Sequence, residues 1–230
     1  MVPIGTESSD MPKKKNSPLP VFDSAPIDDL PPRRRAILKA AFKVLMEQGY
    51  SGASTLEIAT HAKVSKRELY AEFGNKAGIL EALIASTANR MQAPLALPEI
   101  VDRSTLAAAL RRYGVTVLTE LTHPAVTAIN RLAAAEAGGG SEVGQILDRS
   151  GREPNRVALR QFIASAQDKG ILGTGDPNQI GGQFFALLMS DIAVRLMLGT
   201  MDPPDAREIE RRAEAATDAV LRLYAPPTRT

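Results

Sequence analysis

A chain of 230 residues without cysteine can bury a substantial core, but it can form no disulfide and bind no metal through thiolates. Its two histidines leave little material for a zinc site, and scarce aromatic residues beside abundant alanine and leucine favour helices over strands. The net charge of +2 is unevenly distributed: residues 1–30 carry −2, residues 31–76 carry +5 and the remainder carries −1. This concentration of positive charge is typical of phosphate-binding surfaces, and solvated basic faces share it.

Residues 1–30 are predicted to be a disordered arm, because seven of the 16 prolines fall in residues 1–32 and apolar periodicity is weak there. The arm lacks the continuous apolar segment of a secretory signal. Its Lys13, Lys14 and Lys15 are either a solvated charge cluster or a contact to a phosphate backbone.

The first predicted helix spans residues 33–48. Apolar residues recur at helical spacing from Ile37 to Met46, and Gly49 ends the helix. Arg33, Arg34 and Arg35 stand at the start, where cations are unfavourable beside the helix dipole. Either a nearby phosphate offsets that cost or the side chains are simply solvated.

A short second helix is predicted to follow. Ser54 or Thr55 can cap it, and Leu56, Ile58 and Ala59 are expected to supply its apolar contacts. His61 also lies on this helix and is expected at the surface.

A third helix is predicted after a turn at residues 62–64. Ser65 can cap it, with Glu68 completing a capping box, and Leu69 and Phe73 place one face on the core. The opposite face carries Lys66, Arg67, Glu68 and Ala71. This arrangement predicts a helix-turn-helix, whose second helix lies in the DNA major groove.

Residues 33–76 resemble the DNA-binding domain of TetR-family transcriptional regulators. The resemblance rests on Ile58-Ala59, Val64-Ser65-Lys66, Leu69-Tyr70, Phe73 and Lys76. The chain departs from the family at Lys63, Arg67-Glu68 and Glu72, where glycine, Gly-Thr and histidine are usual. A non-glycine residue in a left-handed turn is strained by roughly 1–2 kcal/mol, so we expect a slightly different turn.

A fourth helix is predicted at residues 76–91. The resemblance implies that this helix joins the DNA-binding head to the body, and that Lys76 and Tyr70 contact phosphates. Further helices are predicted at residues 104–121, 125–136, 155–169, 177–198 and 204–224. Ser104 can cap the first of these, and Asp176-Pro177 is a strong start signal for the fourth.

The helix at residues 177–198 is apolar almost all round and could be read as a membrane span. Gln183, Asp191 and Arg195 interrupt the apolar stretch, and charge in mid-bilayer costs several kcal/mol. We therefore expect a helix buried on several sides, with no membrane partner.

The last helix carries an apolar seam in steps of three and four residues. The family resemblance implies that the last two long helices pair with those of a second copy. The predicted homodimer interface comprises Phe184, Leu188, Ile209, Ala213, Ala216, Val220 and Leu223. Packing within one subunit would leave the same pattern.

Residues 102–200 loosely resemble the ligand-binding domain of the AefR-like branch of the family. The features are Arg131 with Glu136, residues 170–172, Asp176-Pro177 and residues 195–199, whereas the glycines at 138–140 depart from it. The resemblance implies a cavity lined by Tyr113, Val117, Phe162, Phe185 and Met189. These residues could equally fill an ordinary core. The apolar lining indicates a small hydrophobic effector.

No phosphate-binding glycine loop, nucleophile elbow or zinc-protease motif occurs, so we expect no enzyme activity, cofactor or metal. The predicted fold is all-α: an arm at residues 1–30, a helix-turn-helix head at 31–76 and a helical ligand-binding and dimerisation body at 77–225. The predicted function is a cytoplasmic, ligand-released repressor that binds a palindromic double-stranded DNA operator as a homodimer. The predicted DNA contacts are Arg33, Ser54, Thr55, Ser65, Lys66, Arg67, Glu68, Tyr70 and Lys76. Two alternatives are a small-molecule sensor without specific DNA binding and a purely structural helical dimer.

Overall fold

The computed structural model describes residues 30–96, 99–138 and 141–226, and every regular element in these ranges is helical. Apart from Leu30, the predicted arm lies outside the described residues. The helices are α1 Pro32–Gly52, α2 Thr55–Ala62, α3 Lys66–Phe73, α4 Lys76–Gln92, α5 Arg103–Leu121, α6 Pro124–Ala135, α7 Glu142–Leu147, α8 Glu153–Asp168, α9 Pro177–Met189, α10 Ile192–Leu198 and α11 Ala206–Leu223.

The helix-turn-helix forms where the capping residues predicted it. Ser54 accepts from the backbone N–H of Glu57 at the start of α2, and Ser65 and Glu68 form the predicted capping box at the start of α3. Lys63 adopts the left-handed conformation with φ 54° and ends α2. The turn is therefore formed without the glycine that the resemblance led us to expect. α1 runs past its predicted end, with a break at Gly49 where φ is 74°.

The core of the head extends into the body. Buried side chains of α1 to α4 pack in one cluster with Ala125 and Ile129 of α6 and with Val143 and Ile146 of α7. The expectation that Leu56 contributes to this core is wrong, because its side chain is 62% exposed. Ile58 and Ala59, on the inner face of α2, are buried as predicted.

Polar contacts reinforce the same junction. The hydroxyl of Tyr50 donates to the Glu142 carboxylate over 2.8 Å, and the hydroxyl of Ser51 donates to that of Glu136 over 3.1 Å. The predicted boundary at residue 76 coincides with the first residue of α4, which packs into both parts of the molecule: Ile79 lies in the head core and Met91 in the body core.

The body is built around α5, α8, α9 and α11. Ser104 was expected to cap α5, but Asp102 does so, and the Ser104 hydroxyl donates to the Asp102 carboxylate. The aspartate forms a capping box with Thr105, which satisfies more backbone groups than serine at 104 could. α5 and α11 approach closely at Gly114, where an added Cβ would lie 3.1 Å from the Ala213 Cβ.

The apolar helix predicted at residues 177–198 is broken into α9 and α10, which are bent by 49°. Ser190 adopts φ 47°, which is incompatible with a continuous helix. The predicted pair Asp191–Arg195 forms at 4.0 Å. In the described part of the chain no single helix is long and apolar enough to cross a membrane; only α9 and α10 together meet that length and composition.

The predicted dimer interface is wrong for most of its residues. The seam of α11 packs against α5 and α9 of the same subunit, because those helices offer the nearest apolar surface. Leu223 alone of the predicted set is exposed, whereas the others are buried within one chain: Phe184, Leu188, Ile209, Ala213, Ala216 and Val220.

The close contact of α5 with α11 generates a stability prediction. Replacing Gly114 with valine should lower the free energy of unfolding by about 1–3 kcal/mol, because the side chain would overlap Ala213 and Leu188. Urea unfolding at fixed protein concentration measures this. Gly144→Val is the control, because the nearest atom to its added Cβ is 3.9 Å away. Equal stability of the two variants would contradict the packing argument.

Candidate functional site

The exposed face of α3 carries two cations in its first turn. Lys66 and Arg67 are both exposed. The Lys66 ammonium lies 5.6 Å from the centre of the Tyr70 ring. Arg67 makes no hydrogen bond or ion pair with any residue in the described part of the chain. Its guanidinium is therefore available to an external acceptor.

Glu68 is occupied by the protein itself. Its carboxylate accepts from the backbone N–H and hydroxyl of Ser65 at 2.9 and 2.8 Å, and lies 3.4 Å from the Arg33 guanidinium. The hydrogen bonds from Ser65, aided by Arg33, hold the pKa of Glu68 below its ordinary value. The carboxylate thus remains ionised and holds Arg33 and Ser65 in place at the start of α3.

α1 is attached to the end of α3 by Arg34, for which the sequence predicted either a phosphate contact or solvation. Its guanidinium donates to the backbone oxygen and the carboxylate of Glu72, each over 3.0 Å, and lies 4.4 Å from the centre of the Phe73 ring. Arg34 and Glu72 therefore set the position of α3 against α1. Glu72, one of the positions at which the chain departs from the resemblance, supplies the acceptor.

Lys76 also has partners inside the protein. Its ammonium donates to the backbone oxygens of Tyr50 at 2.6 Å and Ala53 at 3.1 Å, and lies 4.4 Å from the centre of the Tyr50 ring. The side chain thus ties the start of α4 to the end of α1 and to Ala53, which follows it. A phosphate contact by Lys76 stays a prediction and would have to coexist with these bonds.

Four other predicted DNA contacts belong to α2 and α3 or to their N-caps: Ser54, Thr55, Ser65 and Tyr70. The hydroxyls of Thr55 and Tyr70 are 3.0 Å apart, so one hydrogen bond joins the start of α2 to the middle of α3. Ser54 is exposed at the N-cap of α2. Ser65 directly precedes Lys66, and the Tyr70 ring lies beside the Lys66 ammonium, so that the candidate surface combines cations with hydrogen-bonding groups.

The second candidate site is a cavity of about 760 Å³ in the body. It lies between α4, α5, α6, α8, α9 and α10, and Tyr113, Val117, Phe185 and Met189 line it as predicted. The prediction for Phe162 is wrong: its side chain does not line the cavity, because it is buried in the apolar core of the body. Tyr113 and Phe184 stack with ring centres 6.1 Å apart, and burial raises the pKa of the Tyr113 phenol.

Polar residues of the cavity wall were missed by the sequence analysis. Asn155 lies on the inner face of α8, and Arg152, Arg156 and Arg160 follow one edge of it. The segment Asp148–Arg152 between α7 and α8 is a wide π-type turn, of a kind often found at functional sites. An added Cβ on Gly151 of this turn would lie 2.9 Å from the Ile84 side chain of α4.

Two family models match the chain. Residues 37–83 match the model described as bacterial regulatory proteins of the tetR family, and residues 108–226 match the C-terminal domain of AefR-like transcriptional repressors. Among curated proteins, an uncharacterised HTH-type transcriptional regulator of Bacillus subtilis, YvkB, is 26% identical over 168 residues, which are 73% of this chain and 85% of that protein.

Solved structures are also similar. A TetR transcriptional regulator from Agrobacterium tumefaciens is 31% identical, with a TM-score of 0.71, and the match covers 86% of this chain and 97% of that one. The flavonoid-responsive regulator FrrA is 28% identical with a TM-score of 0.67, and the match covers 86% of this chain and 98% of that one.

The contacts of Lys76 predict a structural role. Replacing Lys76 with methionine should lower the free energy of unfolding by about 1.5–3 kcal/mol, because two charge-assisted bonds to backbone oxygens are lost. Urea unfolding measures the change. Lys43→Met is the matched control, since Lys43 is an exposed cation of α1 with a single distant ion pair to Glu47. If both variants are equally stable, Lys76 does not anchor α4.

Proposed function

Because the chain belongs to the TetR family of transcriptional regulators, we propose that it is a repressor released from a palindromic operator by a small hydrophobic molecule. It is a DNA-binding transcriptional repressor, and regulators of this family bind operators as dimers. The alternatives without DNA binding are not favoured, since the relatives are HTH-type transcriptional regulators.

The proposal that α3 contacts DNA bases rests on one observation: the guanidinium of Arg67 is exposed and unpaired. In a helix-turn-helix the first turn of the second helix faces base edges. Arg67 and Lys66 stand in that turn of α3, and arginine or lysine to guanine is the commonest specific contact. We assign base reading to these two residues.

The surrounding polar groups are assigned to the phosphate backbone. Ser54, Thr55, Ser65 and Tyr70 present hydroxyls beside the reading turn, and contacts of this kind set register without carrying sequence information. Arg33 and Lys76 would add charge-assisted contacts. Glu68 is assigned a positioning role, because its carboxylate already holds Ser65 and Arg33.

We propose that the dimer forms through the outward faces of α9, α10 and α11. Leu187 is 50% exposed, Val194 53% and Leu198 71%, although all three are large and apolar. Ala215 and Leu223 are exposed on α11, which packs beside α9. A two-fold axis would place each patch against its own copy and remove this apolar surface from water.

We propose that the effector binds in the body cavity. Its volume of about 760 Å³ lies in the range of small-molecule sites, and its wall is mainly apolar. FrrA is named as flavonoid-responsive, so flavonoids are the first compounds to test on this chain. Ile84, Thr87 and Met91 of α4 line the cavity, which gives the effector direct contact with the helix that carries the head.

Arg67→Ala tests the DNA reading. The substitution should cost about 1–3 kcal/mol on the selected operator and relax the preference at one base position per half-site. DNA selection followed by binding titrations on specific and random duplexes measures both effects. Lys43→Ala should change affinity for the two duplexes equally, because Lys43 lies on α1 and not on the reading turn. An equal loss on both duplexes for Arg67→Ala would refute base reading by this residue.

Leu187→Glu tests the dimer face. Two copies of the new carboxylate would meet across the two-fold axis, so the dimer dissociation constant should rise roughly a hundredfold. Analytical ultracentrifugation over a concentration series measures it. Leu56→Glu is the control, because Leu56 is similarly exposed but lies on α2 of the head. An unchanged dimer dissociation constant would show that the dimer forms through another surface.

A further inference from the structure

The cavity in the body has a buried apolar interior and an exposed edge. Tyr113, Val117 and Met189 belong to the buried part of its wall. Arg160 of α8 and Gly182 of α9 line the same cavity but are exposed. Such a site suits a molecule with an apolar body and a polar end, because the end can stay near water while the body is buried.

The α8 side of this edge is cationic. Arg152, Arg156 and Arg160 line the cavity at intervals of four residues, and a rise of about 6 Å along the helix separates each from the next. Asp148 is the acidic residue among those that line the cavity in the described part of the chain. Three positive charges against one negative charge leave an excess that attracts anions and repels cations.

Arg160 is the arginine of this edge whose charge is least neutralised. Arg156 is paired with Glu153, and the hydrogen bond and charge of Glu153, aided by the charge of Asp148, hold the pKa of Arg156 above its ordinary value. Asp148 also lines the cavity four residues before Arg152. Arg160 makes no hydrogen bond or ion pair with any residue that the structure describes. Its guanidinium can therefore donate two parallel hydrogen bonds to a carboxylate.

The α9 side of the same edge is open. α8 and α9 approach closely where an added Cβ on Gly181 would lie 3.3 Å from the Leu159 side chain. The next residue of each helix, Arg160 on α8 and Gly182 on α9, lines the cavity and is exposed. Outside the backbone of α9, no described atom lies within 4 Å of an added Cβ on Gly182. A group as small as a carboxylate can therefore stand at this edge without a clash with α9.

We propose that the cavity binds an anionic amphiphile, a molecule whose apolar body fills the interior and whose carboxylate pairs with Arg160 at the edge. This inference rests on the proposed effector role of the cavity and adds the charge of the effector. The apolar wall supplies most of the affinity, and the arginine selects the charge, because an ion pair at an exposed edge keeps part of its hydration. A neutral molecule of the same shape leaves Arg160 without a partner.

Calorimetric titration with three carboxylates and their primary amides tests the proposal. The acids are dodecanoic, biphenyl-4-carboxylic and flavone-6-carboxylic acid, which differ in the shape of the apolar body, and each amide matches its acid in size. At neutral pH and low salt, at least one carboxylate should bind the full-length protein about fivefold more tightly than its amide. Added salt should reduce this ratio, because it screens an exposed ion pair.

Arg160→Gln should reduce the ratio to below about twofold, since it removes the charge and keeps a long polar side chain. Arg160→Lys should retain a preference for the carboxylate. Arg207→Gln is the matched control and should keep the full ratio, because Arg207 is an exposed, unpaired arginine of α11 that does not line the cavity. No preference in the unaltered protein, no binding of any of the six compounds, or an unchanged ratio in Arg160→Gln would overturn the inference.

Operator binding is followed on the same samples so that the two proposals fail separately. If the carboxylates bind with the expected preference but leave operator affinity unchanged, the inference stands and the release mechanism is refuted. If amides and carboxylates release the operator equally well at equal concentrations, the release mechanism stands and the role of Arg160 is refuted.

Discussion

The whole molecule depends on the packing of α4 into two cores at once. Ile79, Leu80 and Leu83 are buried with the helix-turn-helix, whereas Met91 is buried in the body. Ile84 belongs to the head core and also lines the cavity. Because close-packed side chains do not yield independently, α4 cannot shift in the body without moving the head. The wide turn at Gly151 fits directly against this helix.

This arrangement defines what a ligand must do to act on DNA. A molecule in the cavity changes operator affinity only if it binds two positions of α4 with different free energies. Contacts to Ile84, Thr87 and Met91 can supply that difference, because these side chains belong to the element that would move.

Local signals allowed the head to be predicted in detail. Ser65 and Glu68 are three residues apart and need only each other to form a capping box, and Asp176 before Pro177 acts in the same local way. Which helix covers an apolar stripe, by contrast, is determined by the tertiary packing of the whole chain. The seam of α11 was correctly identified as apolar but assigned to a second copy, because periodicity shows that a face is buried and not by which helix. The break at Ser190 likewise could not be predicted, because neither glycine nor proline stands at that position.

The polar residues of the sites were harder to predict than the apolar ones, because their hydrogen-bond partners are distant in the sequence. Lys76 and Arg34 look like surface cations until the structure shows their carbonyl and carboxylate acceptors. Asn155 did leave a signal, since it occupies the same helical stripe as Leu159 and Phe162, where an apolar residue is expected. A polar residue at a buried position of an apolar stripe lowers the stability of the folded protein. The cost arises because the amide nitrogen of Asn155 is held by the backbone oxygen of Gly151, while its Oδ1 has no donor among the described residues.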